Sequence, residues 1–329
     1  MTFEQFIEEW HNDNDFIIAH TSGSTGNPKP IMLSKNFVME SAKRTNDFFG
    51  IKENSLLHSC VGADYIGGKM MAVRAELANA VFSYEKPSNQ PLKEFNSGNK
   101  IDLVAVVPSQ VQHILLNIQT LPKIQNLLIG GSPIHPDLRK KIVFSGINAY
   151  ESYGMTETAS HIALRRITEK EIPFTLLPNI EISLDKDSCL KIRFKDGKEI
   201  QTNDIATLVS KNEFLIKGRR DQIIISGGKK INPMALEART LGIIPGNFLF
   251  TGFPDEKWGE KVVLIIEGED NKILENQIKE RLKEILEKWE MPKQILFVKE
   301  LPRTPNGKIK RIKDPSILFS SSHDKNLSS

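Results

Sequence analysis

A glycine- and hydroxyl-rich segment near the start of the chain could hold the phosphates of a nucleotide. It reads Thr21-Ser22-Gly23-Ser24-Thr25-Gly26-Asn27-Pro28-Lys29 and follows residues 16–19, which have the apolar pattern of a buried strand. Glycine lets the backbone approach phosphate oxygens closely, and hydroxyls, amides and the Lys29 ammonium attract those oxygens. The spacing differs from the Walker pattern, G-x-x-x-x-G-K-[ST]. From these residues alone, a phosphate loop and a flexible polar linker both remain possible.

A second segment combines an aromatic ring, a hydroxyl and a carboxylate at the end of a predicted strand. It reads Tyr153-Gly154-Met155-Thr156-Glu157. The ring could stack on a base, the hydroxyl could bind phosphate, and the carboxylate could hold Mg²⁺, which prefers oxygen ligands. Alone, the pattern also fits a strand end that carries a surface glutamate.

Two charged turns lie further along the chain. The first reads Gly218-Arg219-Arg220-Asp221 and precedes an apolar run that ends in Gly227-Gly228; the second reads Pro302-Arg303-Thr304-Pro305-Asn306-Gly307-Lys308. Taken singly, the first indicates a charged turn before a β-hairpin, and the second indicates an exposed basic turn.

The elements that must position these motifs follow from the hydrophobic pattern. Short apolar runs at residues 101–107, 124–129 and 148–153 alternate with helical patterns at residues 109–117 and 136–144. Such alternation predicts an α/β domain with a parallel sheet that is covered by helices. Residues 180–217 show only strands and turns, which predicts a small antiparallel region.

The two ends of the chain add further elements. Apolar residues at helical spacing, Phe3 and Phe6 among them, predict an opening amphipathic helix, and Ser34 should cap a helix that ends near Phe49. After residue 221, predicted strands and two helices, the second over residues 275–289, form a smaller α+β module.

This pattern predicts four segments along the chain. They are an N-terminal domain over residues 1–217, a hinge over 218–222, a mobile C-terminal domain over 223–315 and a flexible tail over 316–329.

The overall composition excludes several classes of protein. The chain of 329 residues carries 44 basic and 41 acidic residues, a balance that does not favour nucleic-acid binding. Cys60 and Cys189 form no C-x-x-C pair, so their spacing indicates neither a zinc site nor a disulfide framework. No signal peptide or membrane span is recognisable. We therefore expect a cytoplasmic protein; its oligomeric state is not indicated.

Taken together and in this order, the motifs resemble those of the adenylate-forming superfamily of acyl-CoA synthetases, luciferases and peptide-synthetase adenylation domains. The phosphate loop of that family, T-S-G-[ST]-T-G-x-P-K, and its Y-G-x-T-E motif are complete here. The G-R-x-D hinge motif is complete, although Gln222 replaces a second aspartate that often follows. Pro302, Gly307 and Lys308 match the C-terminal P-x-x-x-x-G-K. The resemblance implies an AMP-forming acid–thiol ligase that uses ATP, Mg²⁺, a small carboxylic acid and coenzyme A.

The resemblance also implies roles for single residues. Residues 21–29 would close over the ATP phosphates, and Asp221 would be the hinge. The remaining nucleotide contacts would be the adenine pocket at Gly130, Gly131 and Ser132, adenine stacking by Tyr153, the α-phosphate at Thr156, Mg²⁺ at Glu157, and the ribose at Asp204 and Arg219. Asn203 replaces the glycine that usually precedes that aspartate. Lys308 would bridge the reacting carboxylate and the α-phosphate, and Gly227 and Gly228 would line a tunnel for the pantetheine arm of CoA.

The region before the phosphate loop is much shorter than in most family members, so the fold is expected to be a truncated version. A compact form is known among bacterial o-succinylbenzoate–CoA ligases of menaquinone biosynthesis, whose Y-I-[AG]-G-K-M-M-x-x-R stretch resembles the segment from Tyr65 to Arg74. The acid-binding residues expected on this basis are His58, Gly67, Gly68, Lys69 and Arg74. Three alternatives remain: a ligase for another acyl or aryl acid, an adenylation enzyme that loads a carrier protein, and a non-catalytic nucleotide-binding protein.

Overall fold

The secondary structure is taken from a computed structural model that describes residues 1–21, 29–95, 98, 100–303 and 309–320. The helices are α1 Phe3–His11, α2 Lys35–Phe49, α3 Ile66–Leu77, α4 Pro108–Leu116, α5 Pro136–Ser145, α6 Pro233–Arg239, α7 Lys272–Lys283 and α8 Ser316–Ser320. The strands are β1 Phe16–His20, β2 Pro30–Ser34, β3 Leu56–Ser59, β4 Val81–Tyr84, β5 Lys100–Ile101, β6 Leu103–Val106, β7 Lys123–Ile124, β8 Leu127–Ile129, β9 Ala149–Met155, β10 Ser160–Arg166, β11 Phe174–Leu176, β12 Ile180–Leu184, β13 Cys189–Phe194, β14 Glu199–Ser210, β15 Glu213–Arg219, β16 Ile224–Ser226, β17 Lys229–Ile231, β18 Phe248–Asp255, β19 Gly259–Glu267 and β20 Gln294–Val298.

The larger of the sheets has eleven strands, in the order β12-β13-β14-β15-β11-β10-β9-β8-β6-β3-β4. Strands β4, β3, β6, β8 and β9 pair in parallel, as the strand–helix alternation predicts. From β9 onward every pairing is antiparallel. The antiparallel region predicted at residues 180–217 is therefore continuous with the parallel sheet, because the β9–β10 hairpin carries the hydrogen-bond ladder across.

The first helices form for the reasons that the sequence indicates. Thr2 caps α1 through a capping box with Gln5, and the helix buries Phe3 and Phe6. Ser34 caps α2 by accepting the Phe37 amide, and the helix ends at Gly50, which has the left-handed backbone that glycine tolerates. Both helix predictions are confirmed.

Some predicted elements differ in extent. The strands predicted at residues 101–107 and 124–129 are each interrupted after one pair of residues, and β5 and β7 form a separate two-stranded sheet. Asp102 sits at the first break, where its carboxylate accepts the Leu56 amide and its carbonyl accepts from Asn126. Helix α7 ends at Lys283, since the Glu284 amide already bonds three residues back to Arg281. Residues 316–320, expected within a flexible tail, form α8.

A second sheet begins with β16 at Ile224. It has the order β17-β16-β19-β18, with β20 parallel to β19. Its core includes Ile224, Leu236 of α6, Phe250 of β18, and Ile278 of α7. This is the smaller α+β unit that the sequence predicts, and the fold class is confirmed; the residue limits of the domains, the hinge and the tail stay predictions. None of the helices in the described ranges is long and apolar enough to cross a membrane.

Candidate active site

The phosphate-loop segment and the Tyr-Gly-Met-Thr-Glu segment meet at one end of the large sheet. The Thr21 amide donates to the Lys29 carbonyl at 3.0 Å, and the Lys29 amide donates to the Thr21 hydroxyl at 3.1 Å, so the two ends of the first segment are held together. Residues 22–28, which include most of the predicted phosphate contacts, lie outside the described residues. The Thr156 hydroxyl donates to the His20 carbonyl at 3.3 Å. The α-phosphate residue predicted from the sequence therefore lies at the base of the predicted phosphate loop.

Gly154 is required by close backbone packing. A Cβ atom at this position would lie 2.2 Å from the Ser160 carbonyl oxygen and 2.4 Å from the His161 Cα. The antiparallel strands β9 and β10 can therefore approach this closely only because residue 154 has no side chain. The turn that follows, Thr156–Thr158, places Thr156 and Glu157 at the end of β9.

Replacing Gly154 with alanine should lower the free energy of unfolding by about 2–3 kcal/mol, because a rigid backbone has to move to make room. The measurement is urea unfolding followed by circular dichroism. Gly67→Ala is the matched control, since its Cβ would meet nothing closer than 3.9 Å. If both alanine variants unfold at the same urea concentration as the unmodified chain, the packing argument is wrong.

The residues predicted to hold the ribose are joined to the predicted adenine-stacking residue. The Tyr153 hydroxyl donates to the Asp204 carboxylate at 2.7 Å, and the Arg219 guanidinium donates to its other oxygen at 3.0 Å. Burial, followed by the Asp204 charge, raises the pKa of Tyr153 far above its usual range, so the phenol remains a hydrogen-bond donor. The Tyr153 ring packs edge-on against Phe214.

Arg219 also connects this group to the predicted hinge. It donates to both carboxylate oxygens of Asp221, at 3.0 and 2.7 Å. These hydrogen bonds are the largest cause of the raised pKa of Arg219, which keeps it cationic at any physiological pH. Arg219 therefore contacts both the predicted ribose residue Asp204 and the predicted hinge residue Asp221.

The predicted adenine segment follows β8 and lies beside β9. The Gly130 amide donates to the Val106 carbonyl at 3.1 Å, and a Cβ at Gly130 would lie 2.8 Å from the Ser152 hydroxyl. Gly131 has a φ of 89°, which favours glycine. Gly130, Gly131 and Ser132 thus leave the carboxyl end of a parallel strand, the edge where α/β sheets bind ligands.

Glu157 is suited to a metal ion. Its side chain is partly exposed, and its carboxylate makes no hydrogen bond to any described residue, so its oxygens are available for Mg²⁺. Lys198, which the sequence did not single out, donates to the Glu157 carbonyl at 3.0 Å and lies over the Phe37 ring. Burial lowers the pKa of Lys198. The sequence does not show this contact, because 41 residues separate Lys198 from Glu157 and only the fold of the β13–β14 turn brings them together.

Of the residues predicted to bind the acid, Arg74 reaches the nucleotide end of the sheet. Its side chain is 1% exposed, and its guanidinium donates to the Ser160 hydroxyl at 3.2 Å and to the Met71 sulfur at 3.6 Å. Its Nε has no hydrogen-bond partner, and no carboxylate pairs with it, among the described residues. Burial lowers the pKa of Arg74 to about 9, so the buried group is still a cation at neutral pH.

Two further residues, missed by the sequence analysis, extend this cationic region. Arg44 of α2 is buried, and its Nε and Nη2 have no hydrogen-bond partner in the described part of the chain. His161 of β10 is also buried and bonds to the Thr45 hydroxyl at 3.0 Å. Burial, and after it the charges of Arg74 and Arg44, hold the pKa of His161 well below its usual range. The imidazole is therefore neutral and lies close to two cations, a setting that favours an anionic ligand.

Lys69, also predicted to bind the acid, points away from Arg74. Residues five positions apart on a helix point about 140° away from each other. The Lys69 ammonium instead donates to the Glu9 carboxylate at 3.0 Å and to the Ile18 carbonyl at 2.8 Å, and it is 2% exposed. It ties α3 to α1 and β1, and its charge is already compensated.

Gly67, Gly68 and His58, also predicted to bind the acid, have structural contacts of their own. A Cβ at Gly68 would lie 2.3 Å from the Gly62 carbonyl, so this glycine allows the start of α3 to pack on the preceding loop. The Gly68 amide donates a hydrogen bond to the Tyr65 carbonyl at 3.1 Å. Gly67 has ordinary space around it. His58 is 1% exposed and bonds to the Ser83 hydroxyl between β3 and β4.

Lys69→Met should destabilise the fold by about 2 kcal/mol, because it leaves the half-buried Glu9 carboxylate without its cation. The Glu9→Gln, Lys69→Met double variant should recover part of that loss. Both are measured by chemical unfolding, together with the KM for the acid, which should not change. A raised KM with unchanged stability would restore Lys69 to the acid site.

The C-terminal motifs are only partly within the described residues. Gly227 and Gly228 form the turn of the β16–β17 hairpin, with φ values of 56° and 76°. A Cβ at Gly227 would lie 2.8 Å from the Trp258 ring. Lys308 lies outside the described residues; on either side of its segment, the Lys310 amide donates to the Pro302 carbonyl at 2.7 Å.

Comparison with known proteins identifies the class. Residues 4–198 match the family model described as AMP-binding enzyme, and residues 250–308 match the AMP-binding enzyme C-terminal domain. The chain therefore belongs to the AMP-binding enzyme family. It is also similar, at 32% identity and a TM-score of 0.62, to a solved acyl-CoA synthetase (AMP-forming)/AMP-acid ligase II-like protein from Dyadobacter fermentans, with 96% of this chain and 92% of that chain covered.

Within the family, the chain is similar to 2-succinylbenzoate–CoA ligases. The ligase from Listeria monocytogenes is 27% identical over 94% of this chain and 71% of its own length. The solved o-succinylbenzoate coenzyme A synthetase from Bacillus subtilis, in complex with ATP and magnesium ion, is 20% identical with a TM-score of 0.73 and covers 89% of this chain. At that identity the structure supports the fold alone. The chain spans about 70% of the curated relatives' length.

Proposed function

We propose that this chain joins 2-succinylbenzoate, also called o-succinylbenzoate, to coenzyme A at the expense of ATP. In the first half-reaction a carboxylate oxygen of the acid attacks the α-phosphorus, and pyrophosphate leaves. In the second, the CoA sulfur attacks the acyl carbon, and AMP leaves as the thioester forms. By the family resemblance, this is a step of menaquinone biosynthesis.

The nucleotide half of the proposal is supported by the hydrogen-bonded set Tyr153, Asp204 and Arg219. Asp204 offers carboxylate oxygens where a ribose needs acceptors, and Arg219 and the tyrosine hydroxyl fix the orientation of that carboxylate. Thr156 adds a hydroxyl beside the phosphate loop. Holding the acid and ATP together removes much of the entropic barrier, up to roughly 7–11 kcal/mol in favourable cases.

Charge has to be neutralised during adenylation, because a carboxylate approaches a polyphosphate. We assign this role to Lys308 and to Mg²⁺ held by the Glu157 carboxylate. The ion would neutralise phosphate charge and polarise the phosphoryl group when bound. The remaining residues orient the reactants: Thr156 at the phosphate and Asp204 at the ribose.

The single observation that carries the choice of acid is the buried cation at Arg74. A buried cation that has no carboxylate partner among the described residues is costly, and an anionic ligand would offset that cost. 2-Succinylbenzoate has two carboxylates, so one can react while the other pairs with Arg74. We propose that Arg44 and the neutral His161 complete this pocket.

The second half-reaction needs a route for the pantetheine arm. We assign it to the Gly227–Gly228 hairpin on the family resemblance; Gly227 packs against the Trp258 ring, and the open space lies at Gly228, where a Cβ would meet nothing within 4 Å. We infer that the reaction takes place in the cytoplasm, where ATP and CoA are available and where the free thiols of Cys60 and Cys189 stay reduced.

The direct test is AMP formation with Mg-ATP and CoA, comparing 2-succinylbenzoate with benzoate and with a medium-chain fatty acid. CoA-dependent AMP and thioester from 2-succinylbenzoate alone would support the proposal. Preference for another acid would refute the choice of acid and keep the ligase class. No AMP release and no pyrophosphate exchange with any acid would favour a non-catalytic nucleotide-binding protein.

A further inference from the structure

A buried cluster away from the nucleotide residues brings together an imidazole, a thiol and a carboxylate. His58, Cys60 and Glu85 each offer one ligand atom, and the three atoms lie within 4.8 Å of one another. We propose that these residues bind one zinc ion, at the edge of the large sheet, for which the adenylation chemistry has no use.

The cluster follows from the register of the edge strands. Strands β3 and β4 are parallel, and His58 is the direct neighbour of Ser83. Side chains two residues apart along a strand share a face. The chain continues in the same way just beyond both strands, where the Glu85 amide donates to the Ser59 carbonyl at 3.2 Å. Cys60 and Glu85 therefore follow His58 and Ser83 on one face, as a compact square of side chains.

Hydrogen bonding favours one tautomer of His58. The Ser83 hydroxyl lies 3.3 Å from the Leu57 carbonyl, to which it can donate, and 2.9 Å from Nδ1 of His58. A hydroxyl that donates to the carbonyl accepts from the ring, and in the matching tautomer Nδ1 is the N–H and Nε2 carries the lone pair. Such a bond from the second ring nitrogen is how proteins orient a metal-binding histidine.

The Nε2 lone pair is aimed at the other two groups. Nε2 is buried without a hydrogen-bond partner among the described residues, and it lies 3.8 Å from a Glu85 carboxylate oxygen. A ring nitrogen and a carboxylate oxygen that face each other in a buried space are held together by a cation between them, which is either a proton or a metal ion. Imidazole nitrogen, thiolate sulfur and carboxylate oxygen are together the ligand set of zinc.

The surroundings fit a built site. Both Glu85 oxygens accept the Leu92 amide, at 3.1 and 3.0 Å, and Leu92 has a φ of 65°, so the loop after β4 is held in a conformation that leucine rarely adopts. Gln110 donates to the Cys60 and Ser88 carbonyls, both at 3.0 Å. The Phe95 ring packs edge-on against His58. Zinc would fasten this loop to the edge of the sheet.

Binding must release one proton. The Cys60 thiol is buried, and its burial, with Glu85 nearby, raises its pKa well above the usual value, so the apo protein holds S–H. Zinc replaces that proton: the S–H bond breaks, the Zn–S bond forms, and the proton goes to the buffer. The Glu85 carboxyl, whose pKa lies below its usual value because hydrogen bonds outweigh its burial, has no proton to lose, so we expect the thiol to release one proton per zinc.

The experiment uses the full chain after removal of metals with a chelator. We expect calorimetric titration with Zn²⁺ to give one equivalent, with a buffer-dependent heat equal to one proton released. Co²⁺ in place of Zn²⁺ should give the ultraviolet charge-transfer band of a cobalt–thiolate bond. No variant is needed for either measurement, so a folding defect cannot imitate the result.

Variants then locate the site. Cys60→Ser should remove the cobalt–thiolate band, Glu85→Gln should weaken zinc binding by 10-fold or more, and Cys189→Ser, the other free cysteine, should change neither. A band that persists in Cys60→Ser, or that disappears in Cys189→Ser, would overturn the proposal. So would the absence of zinc binding together with a protonated His58 in the NMR spectrum, which would make the cluster a histidine–glutamate ion pair.

Discussion

The Lys308→Ala variant should lose adenylation while keeping the second half-reaction. By the sequence resemblance, Lys308 contacts the reacting carboxylate and the α-phosphate only while the adenylate forms. Removing one such positioned donor costs about 10²–10³ in rate. We expect acid-dependent pyrophosphate exchange to fall by about 1000-fold, and thioester formation from supplied acyl-adenylate and CoA to stay within about 2-fold of the unmodified chain.

The two half-reactions must be measured separately, by isotope exchange into ATP and by thioester formation from synthetic adenylate. Lys310→Ala is a suitable control, since it removes a lysine two positions away whose backbone amide still closes the segment on Pro302. An equal loss of both halves in Lys308→Ala would mean that the lysine supports the fold or CoA binding rather than adenylation.

Motifs that act through the backbone could be predicted from the sequence. Gly154 must be glycine because a Cβ there would lie 2.2 Å from the Ser160 carbonyl oxygen. Thr156 is positioned by the end of β9, where its hydroxyl contacts the His20 carbonyl. Both residues occupy places that the local sequence specifies. The same is true of the caps at Ser34 and Gly50. In each case the constraint acts on a short piece of chain, and its residue type is visible in the pattern.

Side-chain direction could not be predicted in the same way. Lys69 and Arg74 stand in one motif of the sequence, yet the helix sends Lys69 to Glu9 and Arg74 to Ser160. Arg44 and His161 escaped notice because 117 residues separate them before folding. The sequence does not show that Cys60 and Glu85 are neighbours, because their proximity depends on the register of β3 and β4. The side-chain contacts that define the proposed acid pocket are therefore set by the tertiary structure.

Two buried cations on one helix allow the acid pocket to be tested. Lys69 has a carboxylate partner, whereas Arg74 has none among the described residues, so the same substitution should have opposite consequences. Arg74→Met removes an uncompensated buried charge and keeps much of the volume. Such replacements are often neutral or stabilising. The free energy of unfolding should therefore stay the same or rise, unlike that of Lys69→Met.

The effect on catalysis should also be opposite to that of Lys69→Met, which should leave the KM for the acid unchanged. Without Arg74, the second carboxylate of 2-succinylbenzoate would be left unpaired in a dry pocket, a loss of about 3–4 kcal/mol, or between about 100- and 1000-fold in kcat/KM. The KM for ATP should not change, and benzoate, which has no second carboxylate, should be used no worse than before. Equal losses for both acids would mean that Arg74 serves the reacting centre through Ser160. The second carboxylate would then need another partner, and Arg44, which is buried and lies 3.7 Å from Glu40, would be the next residue to substitute.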